Sequence, residues 1–365
     1  MFKDITIKGF RGISDVKFDD FKQFNLFVGK NSCCKTSVLE SLFILVSPTS
    51  PTLPSKTNLF RGIGDINETS LELFFHNFDI EEPIKLVTNM DKIHKIRSLL
   101  IKPKIDFELN SDYQKDSAES KLLDERYFQS GEIPNINGLI FESSFLDMNN
   151  EEKTYVTEIF ISIVGKNRIP QHTSPKDYKE KLNGIFISPE FYTLSQTVRQ
   201  FGEISVRKRK DSIIKVLNKI EPLLTDMVIG PVNTIFCDIK QYKMLPINVM
   251  GGGINKILSV VLAIEDNKDG VVLIDEIENG LSPSSQEILW KAIFATAKEF
   301  NVQIFATTHS LECIKTMSLT SSQKSLNLKD DIRVYKIERQ KEDFRIVKYN
   351  QDNIELAAEK DLDIR

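Results

Sequence analysis

The sequence predicts an α/β protein with a mixed central sheet, an antiparallel β lobe and an inserted helical lobe. Three observations lead there. Phe24-Asn25-Leu26-Phe27-Val28 reads as a strand that enters a glycine-led loop and then an apolar helix, Val38 to Leu45. Val271–Ile274, Gln286–Phe300 and Val302–Ala306 read as strand, helix and strand, the pattern of a parallel pair with its crossover. Between these blocks, Leu71 to about Val164 is rich in short β-like runs.

In chain order, Met1 to Phe10 alternates as an edge strand would, and Phe10-Arg11-Gly12 turns it toward short strands at Val16–Phe18 and Asn25–Val28. The proline-dense stretch Ser47 to Pro54 cannot continue the helix before it. Strands are expected at Leu71–Phe75, Ile84–Val87, Arg97–Ile101 and Thr157–Ile161, with a polar loop at Ser111–Ser120. Val198, Phe201 and Ile204, then Ile213 to Leu224, have helical spacing, which Pro222 interrupts. Ile235 to Ile247 returns to strand character, Ile254 to Ile264 is an apolar helix, and Arg333–Ile337 and Phe344–Val347 are closing strands.

At 365 residues the chain can bury a large core. Its 41% hydrophobic and 27% charged content is that of a globular protein, and a net charge of −4 gives no global reason to expect nucleic acid. No apolar run approaches the roughly 20 residues of a membrane span. Cys33, Cys34, Cys237 and Cys313 have neither disulfide-framework nor zinc spacing, and the N-terminus shows no signal-peptide pattern. A reduced, cytoplasmic protein is expected.

The stretch Gly29-Lys30-Asn31-Ser32-Cys33-Cys34-Lys35-Thr36-Ser37 is a phosphate-binding loop with one departure, since Cys34 replaces the second glycine of G-x-x-x-x-G-K-[ST]. Its backbone N–H groups would cradle phosphate, Lys35 would reach the β- and γ-phosphates, and Thr36 would ligate Mg²⁺. Downstream, Val271–Ile274 ends in Asp275 and Glu276. Parallel sheets place chemistry at the carboxyl ends of their strands. Asp275 would hold Mg²⁺ through its water shell, and Glu276 would orient or deprotonate the attacking water. Alone, such a pair also fits a buried strand with an acidic helix cap. Gly251-Gly252-Gly253 opens a helix whose N–H groups can approach an anion, Glu278-Asn279-Gly280-Leu281 is a turn, and His309 at the next strand end is expected near the γ-phosphate.

This order of motifs resembles the ABC-type ATPases of the SMC, RecF and OLD group. It looks closer still to the AAA-family proteins described as ATP/GTP phosphatases and found in bacterial phage-defence operons. The resemblance rests on Lys8–Gly12, the loop with Asn31 and Lys35–Ser37, Asn58–Gly62, the block from Met250 to Ser310, and Asp361–Arg365. It covers both ends of the chain and the middle only loosely. It implies a P-loop NTPase fold of ABC-ATPase type in a single domain. Residues 1–164 would carry the loop and β-rich region, 165–230 a helical lid lobe, and 231–365 the glycine signature, acidic strand and histidine. It also implies that Arg11 contacts the nucleotide, although the residue itself reads as a surface arginine. Three positions depart from the family pattern: Cys34, Gly252 where an aspartate is common, and Ser282 where a histidine is common. Cys34 is expected to crowd the β-phosphate or strain the backbone by about 1–3 kcal/mol, which is roughly ten- to a hundredfold in affinity.

The function expected is an ATP- and Mg²⁺-dependent regulatory ATPase. It would form a homodimer or higher homo-oligomer around nucleotide and control a separate nuclease- or toxin-like effector encoded nearby. A RecF-like DNA-repair ATPase and a nucleotide-dependent scaffold or antitoxin are the alternatives. About 55 residues follow His309, fewer than a typical nuclease domain, so no nuclease is expected in cis. Arg207-Lys208-Arg209-Lys210 fits either a nucleic-acid patch or a solvated helix start, and the second is preferred. Cys33-Cys34 could serve as a redox switch at a helix N-terminus, but drift from a glycine-containing loop is the preferred account.

Overall fold

A computed structural model describes residues 1–64, 67–91, 94–105, 136–164, 167–189, 194–323, 326, 328, 330–340 and 343–360. The N-terminal part runs β1 (Ile5–Phe10), β2 (Ile13–Phe18), β3 (Phe24–Val28), α1 (Lys35–Val46), α2 (Leu53–Leu59), α3 (Glu68–Glu72), β4 (Ile84–Asn89) and β5 (Ile96–Ile105). The middle continues β6 (Ile136–Leu146), β7 (Glu152–Val164), β8 (Asn167–Thr173), β9 (Gly184–Ile187), α4 (Leu194–Val206) and α5 (Lys210–Leu217). After β10 (Asp226–Gly230), β11 (Thr234–Asp238) and β12 (Leu245–Pro246) come α6 (Gly252–Asp266), β13 (Val271–Ile274), α7 (Pro283–Phe300) and β14 (Gln303–Thr308). The chain closes with α8 (Leu311–Ser321), β15 (Ile332–Gln340), β16 (Asp343–Tyr349) and α9 (Gln351–Glu359).

The central sheet has the order β16-β15-β3-β14-β13-β9. It is parallel from β15 to β9, and β16 returns antiparallel as a hairpin. Both faces are buried, and the two-residue period of a strand divides its side chains between two cores. Leu26, Val28, Val272, Ile274 and Ile304 pack with α6 and α7 through Ile257, Val261 and Phe294. Phe27, Val271, Leu273 and Phe305 pack on the other face with Leu39, Leu42 and Leu45 of α1. Helix α1 is buried along nearly its whole length, as an all-round apolar helix must be. The same core takes in Ile7, Leu86 and Leu99 of an antiparallel sheet ordered β2-β1-β4-β5-β6-β7-β8. This is the expected mixed sheet with its antiparallel lobe. Among the described residues, no helix is long and apolar enough to cross a membrane.

Several local expectations are corrected. β1 is not an edge strand: it pairs with β2 on one side and β4 on the other, because Ile5 and Ile7 are fully buried. Leu71–Phe75 is not a strand. Asn67 and Ser70 form a reciprocal capping box that starts α3, and Phe75 makes only an isolated bridge to Phe10. Residues 165–230 are helical only in part, since β8 extends the antiparallel sheet and β9 completes the parallel one. Ser111–Ser120 and Asp361–Arg365 lie outside the described residues.

Candidate functional site

β3 delivers the chain into the glycine-led loop. Gly29 has φ 151°, and a Cβ there would stand 2.6 Å from the Ile337 carbonyl oxygen and 2.7 Å from Cys33 Sγ, so the position admits only glycine. No side chain caps α1 at its N-terminus, which leaves first-turn N–H groups for an anion. Lys35 Nζ donates to the Gly29 carbonyl at 2.8 Å and the Lys30 carbonyl at 2.9 Å. Asn31 to Ser37 border a cavity of ≈ 630 Å³, shared with Arg11, Arg61, Asp275, Glu276 and Thr307. That volume is in the range of small-ligand sites.

The sheet order brings the acids to the loop. β14 lies between β3 and β13, and the carboxyl ends of all three parallel strands open on the same side. Thr36 Oγ1 donates to the Asp275 carboxylate, 3.0 and 3.2 Å from its two oxygens. Thr307, fully buried on β14, donates to Asp275 Oδ1 at 2.5 Å and accepts from the Glu276 backbone N–H at 2.8 Å. Glu276 has φ 46°, a left-handed conformation costly for a side chain of its size. One hydroxyl and one carboxylate with room beside them fit Mg²⁺, which takes oxygen ligands, keeps several waters and shares substrate phosphates.

A carboxylate under the loop organises two arginines. Glu40, on α1, is fully buried; Arg11 Nε pairs with its Oε2 at 2.8 Å and Arg61 Nε with its Oε1 at 2.7 Å. Arg11 also donates to Asn58 Oδ1 at 3.0 Å, and Arg61 to Ser37 Oγ at 3.0 Å. Arg11 is therefore not a surface arginine. Burial pulls its guanidinium down to about 10, against the pull of Glu40. Two cations share one carboxylate, so this cluster keeps one excess positive charge, which together with Lys35 balances the carboxylates of Asp275 and Glu276 on the same cavity. Glu40, Arg61 and Thr307 were not singled out from sequence. The one signal for Glu40 is a carboxylate inside the otherwise apolar run Val38 to Leu45.

Cys34 adopts φ 66° and ψ 20°, the left-handed region where glycine costs nothing. Its thiol donates to the Gly12 carbonyl at 3.4 Å. Burial pushes the thiols of Cys33 and Cys34 up, outweighing the nearby cations. That opposes the thiolate a redox switch needs.

Of the predicted site residues, Gly29, Lys30, Gly251, Gly253 and His309 do not border this cavity. Gly251, exposed with φ 94°, precedes α6, and a Cβ at Gly253 would meet Ser285 Oγ at 3.4 Å and Leu281 Cδ2 at 3.6 Å. Gly252 is the first residue of α6. His309 is about half exposed; its backbone N–H donates to Glu278 Oε1 at 3.0 Å and its Nδ1 stands 3.2 Å from the same oxygen. Ser282 caps α7, accepting from the Ser285 N–H. In the basic run, Arg209 pairs with Glu299 at 2.7 Å and Lys210 with Asp226 at 2.7 Å, as at a solvated helix start.

Comparison with known proteins bears on this arrangement. The protein family described as "AAA domain, putative AbiEii toxin, Type IV TA system" matches residues 24–314. The chain belongs to this AAA-domain family. The chain is 24% identical to an "ATP/GTP phosphatase" of Helicobacter pylori over 345 residues, 89% of each chain. It is 38% identical over 77 residues to an uncharacterized protein of Methanocaldococcus jannaschii, 21% of this chain and 68% of that one. Among solved structures, an SMC head bound to the C-terminal winged-helix domain of ScpA superposes with a TM-score of 0.50 at 11% identity, covering 96% of this chain and 97% of that one. The fold is that of P-loop ATPase heads.

Proposed function

We propose that this AAA domain binds and hydrolyses ATP with Mg²⁺, dimerises around the nucleotide, and controls a separate nuclease- or toxin-like effector in anti-phage defence. The observation that carries the reading is the meeting of Thr36 and Asp275 at 3.0 Å beside Lys35. The phosphatase name of the bacterial relative supports hydrolysis, and the family description, which names a putative toxin and a toxin–antitoxin system, supports a place in such a system.

In this reading Lys35 leaves the loop carbonyls for the β- and γ-phosphates. Thr36 and Asp275 would hold Mg²⁺, which when bound neutralises charge on the transferring phosphate. Glu276 accepts the proton of the attacking water, and the left-handed turn at that residue aims its carboxylate at the cavity. Arg11 and Arg61 attract the triphosphate. The helix opened by Gly251–Gly253, outside its own cavity, meets the γ-phosphate held by a second copy, and His309 completes that composite site. An isologous pair makes this contact twice. ADP lacks the γ-phosphate, so association reports nucleotide state.

Phosphate release tests the chemistry. Lys35→Ala should lose tight ATP binding, because it removes the point charge on the phosphates. Glu276→Gln should bind ATP normally and hydrolyse it far more slowly. Unchanged ATP affinity in Lys35→Ala, or a wild-type rate in Glu276→Gln, would refute the assignment. Purification with the neighbouring gene product, with size and ATPase rate followed together, tests effector control. A second reading, a nucleotide-dependent scaffold with little turnover, is favoured by the left-handed Cys34.

A further inference from the structure

The cavity has a wall that the phosphate chemistry does not use. Besides the loop and the acidic strand end, it is bordered by Ile63, Leu73, Phe75, Asn77 and Phe78. Hydrogen bonds locate this wall relative to the phosphate loop. The Arg11 N–H donates to the Phe74 carbonyl at 2.8 Å, and His76 Nδ1 donates to the Arg11 carbonyl at 3.0 Å. On the other side, Cys34 Sγ donates to the Gly12 carbonyl. The Arg11–Gly12 turn thus stands between the phenylalanine segment and the phosphate loop, as a sugar would between a base and its phosphates.

Phe78 is conspicuous within that wall. It is 62% exposed although it carries a large apolar ring. Asn77 and Phe78 have φ 52° and 61°, two consecutive left-handed residues, the second a bulky one for which that conformation is a genuine outlier. The turn is tied down, since the Phe78 N–H donates to the Phe75 carbonyl at 3.3 Å and the Asp79 N–H to the His76 carbonyl at 2.9 Å. Strain of this kind persists where the surroundings enforce it, and it clusters at ligand sites. Burying the Phe78 ring would have been the favourable local choice, and the backbone holds it out beside the cavity.

The geometry points to Phe78 as the platform on which the base of a nucleoside triphosphate stacks, with Ile63, Leu73 and Phe75 as the apolar floor. This rests on the nucleotide reading proposed above and adds the base subsite. Stacking reads the π-face of a base and not its edge. Asn77 is the one side-chain amide in this wall, so adenine and guanine are accepted with similar affinity.

The test compares ATP, GTP and inorganic tripolyphosphate, each with Mg²⁺, by calorimetry on the full chain. Phe78→Ala should weaken ATP and GTP alike by roughly ten- to a hundredfold and leave tripolyphosphate unchanged. Phe78→Trp should restore both. Its new indole should be quenched by ATP and GTP and not by tripolyphosphate, a clean signal because the chain's own Trp290 is buried. Unchanged ATP binding in Phe78→Ala, or an equal loss for tripolyphosphate, would overturn the platform. Wild-type protein that binds tripolyphosphate as tightly as ATP also overturns the platform, while leaving the phosphate site standing. Wild-type protein that binds neither overturns both.

Discussion

The hydroxyl of Thr307, on β14, and the carboxylate of Asp275, just past the end of the neighbouring parallel strand β13, stand 2.5 Å apart, and the same hydroxyl receives the Glu276 N–H. One buried side chain thereby sets the orientation of the proposed metal-holding acid and the backbone of the proposed general base. Thr307→Val keeps the shape and removes both bonds. A hydrogen bond to a charged group contributes about 1.5–3 kcal/mol, so nucleotide turnover should fall roughly tenfold or more. Thr307→Ser should retain most of it. Phosphate-release kinetics on the two variants decide this: equal, wild-type values of kcat and KM would show that Thr307 only packs.

Cys34 is held at φ 66° at the head of α1. Cys34→Gly should relieve the left-handed strain and raise nucleotide affinity or turnover, by roughly tenfold for each 1.4 kcal/mol recovered. If both fall, the thiol is an adapted part of the site. Because burial pushes both thiols up, alkylation of the native protein should be slow at neutral pH and accelerate only above the ordinary thiol value of 9.0. Rapid labelling of Cys34 at pH 7 would revive a redox role.

Glu40 holds Arg11 and Arg61 from a fully buried position. Glu40→Ala leaves two guanidinium groups without their shared counter-charge, and breaking a buried pair in this way costs about 3–5 kcal/mol. Urea denaturation should show that loss. A change within ~0.5 kcal/mol would mean that solvent already screens the cluster.

Gly251 is exposed where it opens α6, and the nearest atoms that a Cβ at Gly253 would meet belong to Ser285 and Leu281, at ordinary contact distance. The fold should therefore tolerate a side chain there. Gly253→Arg is expected to block ATP-dependent dimerisation while ATP binding to the monomer stays near wild type. Light scattering in the Glu276→Gln background, with and without ATP, reads this out. A dimer that forms equally well without nucleotide and with the arginine in place would reduce the glycines to a tight turn.

What the sequence determined by itself was everything carried by neighbouring residues. Phe24–Val28 before Gly29 and Lys35 announced a strand, loop and helix, and Val271–Ile274 before Asp275 announced a buried strand with acids at its end. Such patterns are local, set by the period of a strand or helix and by which side chains a backbone can hold. Even so, a capping box turned Leu71 into the end of a helix where alternation suggested a strand, because a pair of reciprocal side-chain bonds outweighs a short apolar run. Tertiary structure alone decided which of these patterns became neighbours. The insertion of β14 between β3 and β13 makes Thr307 the link to Asp275. Likewise, the burial of Glu40 draws Arg11 inward from what reads as surface sequence, and ties the more exposed Arg61 to the same carboxylate. Strand order and the pairing of buried charges depend on contacts between residues far apart in the chain, and no local periodicity carries that information.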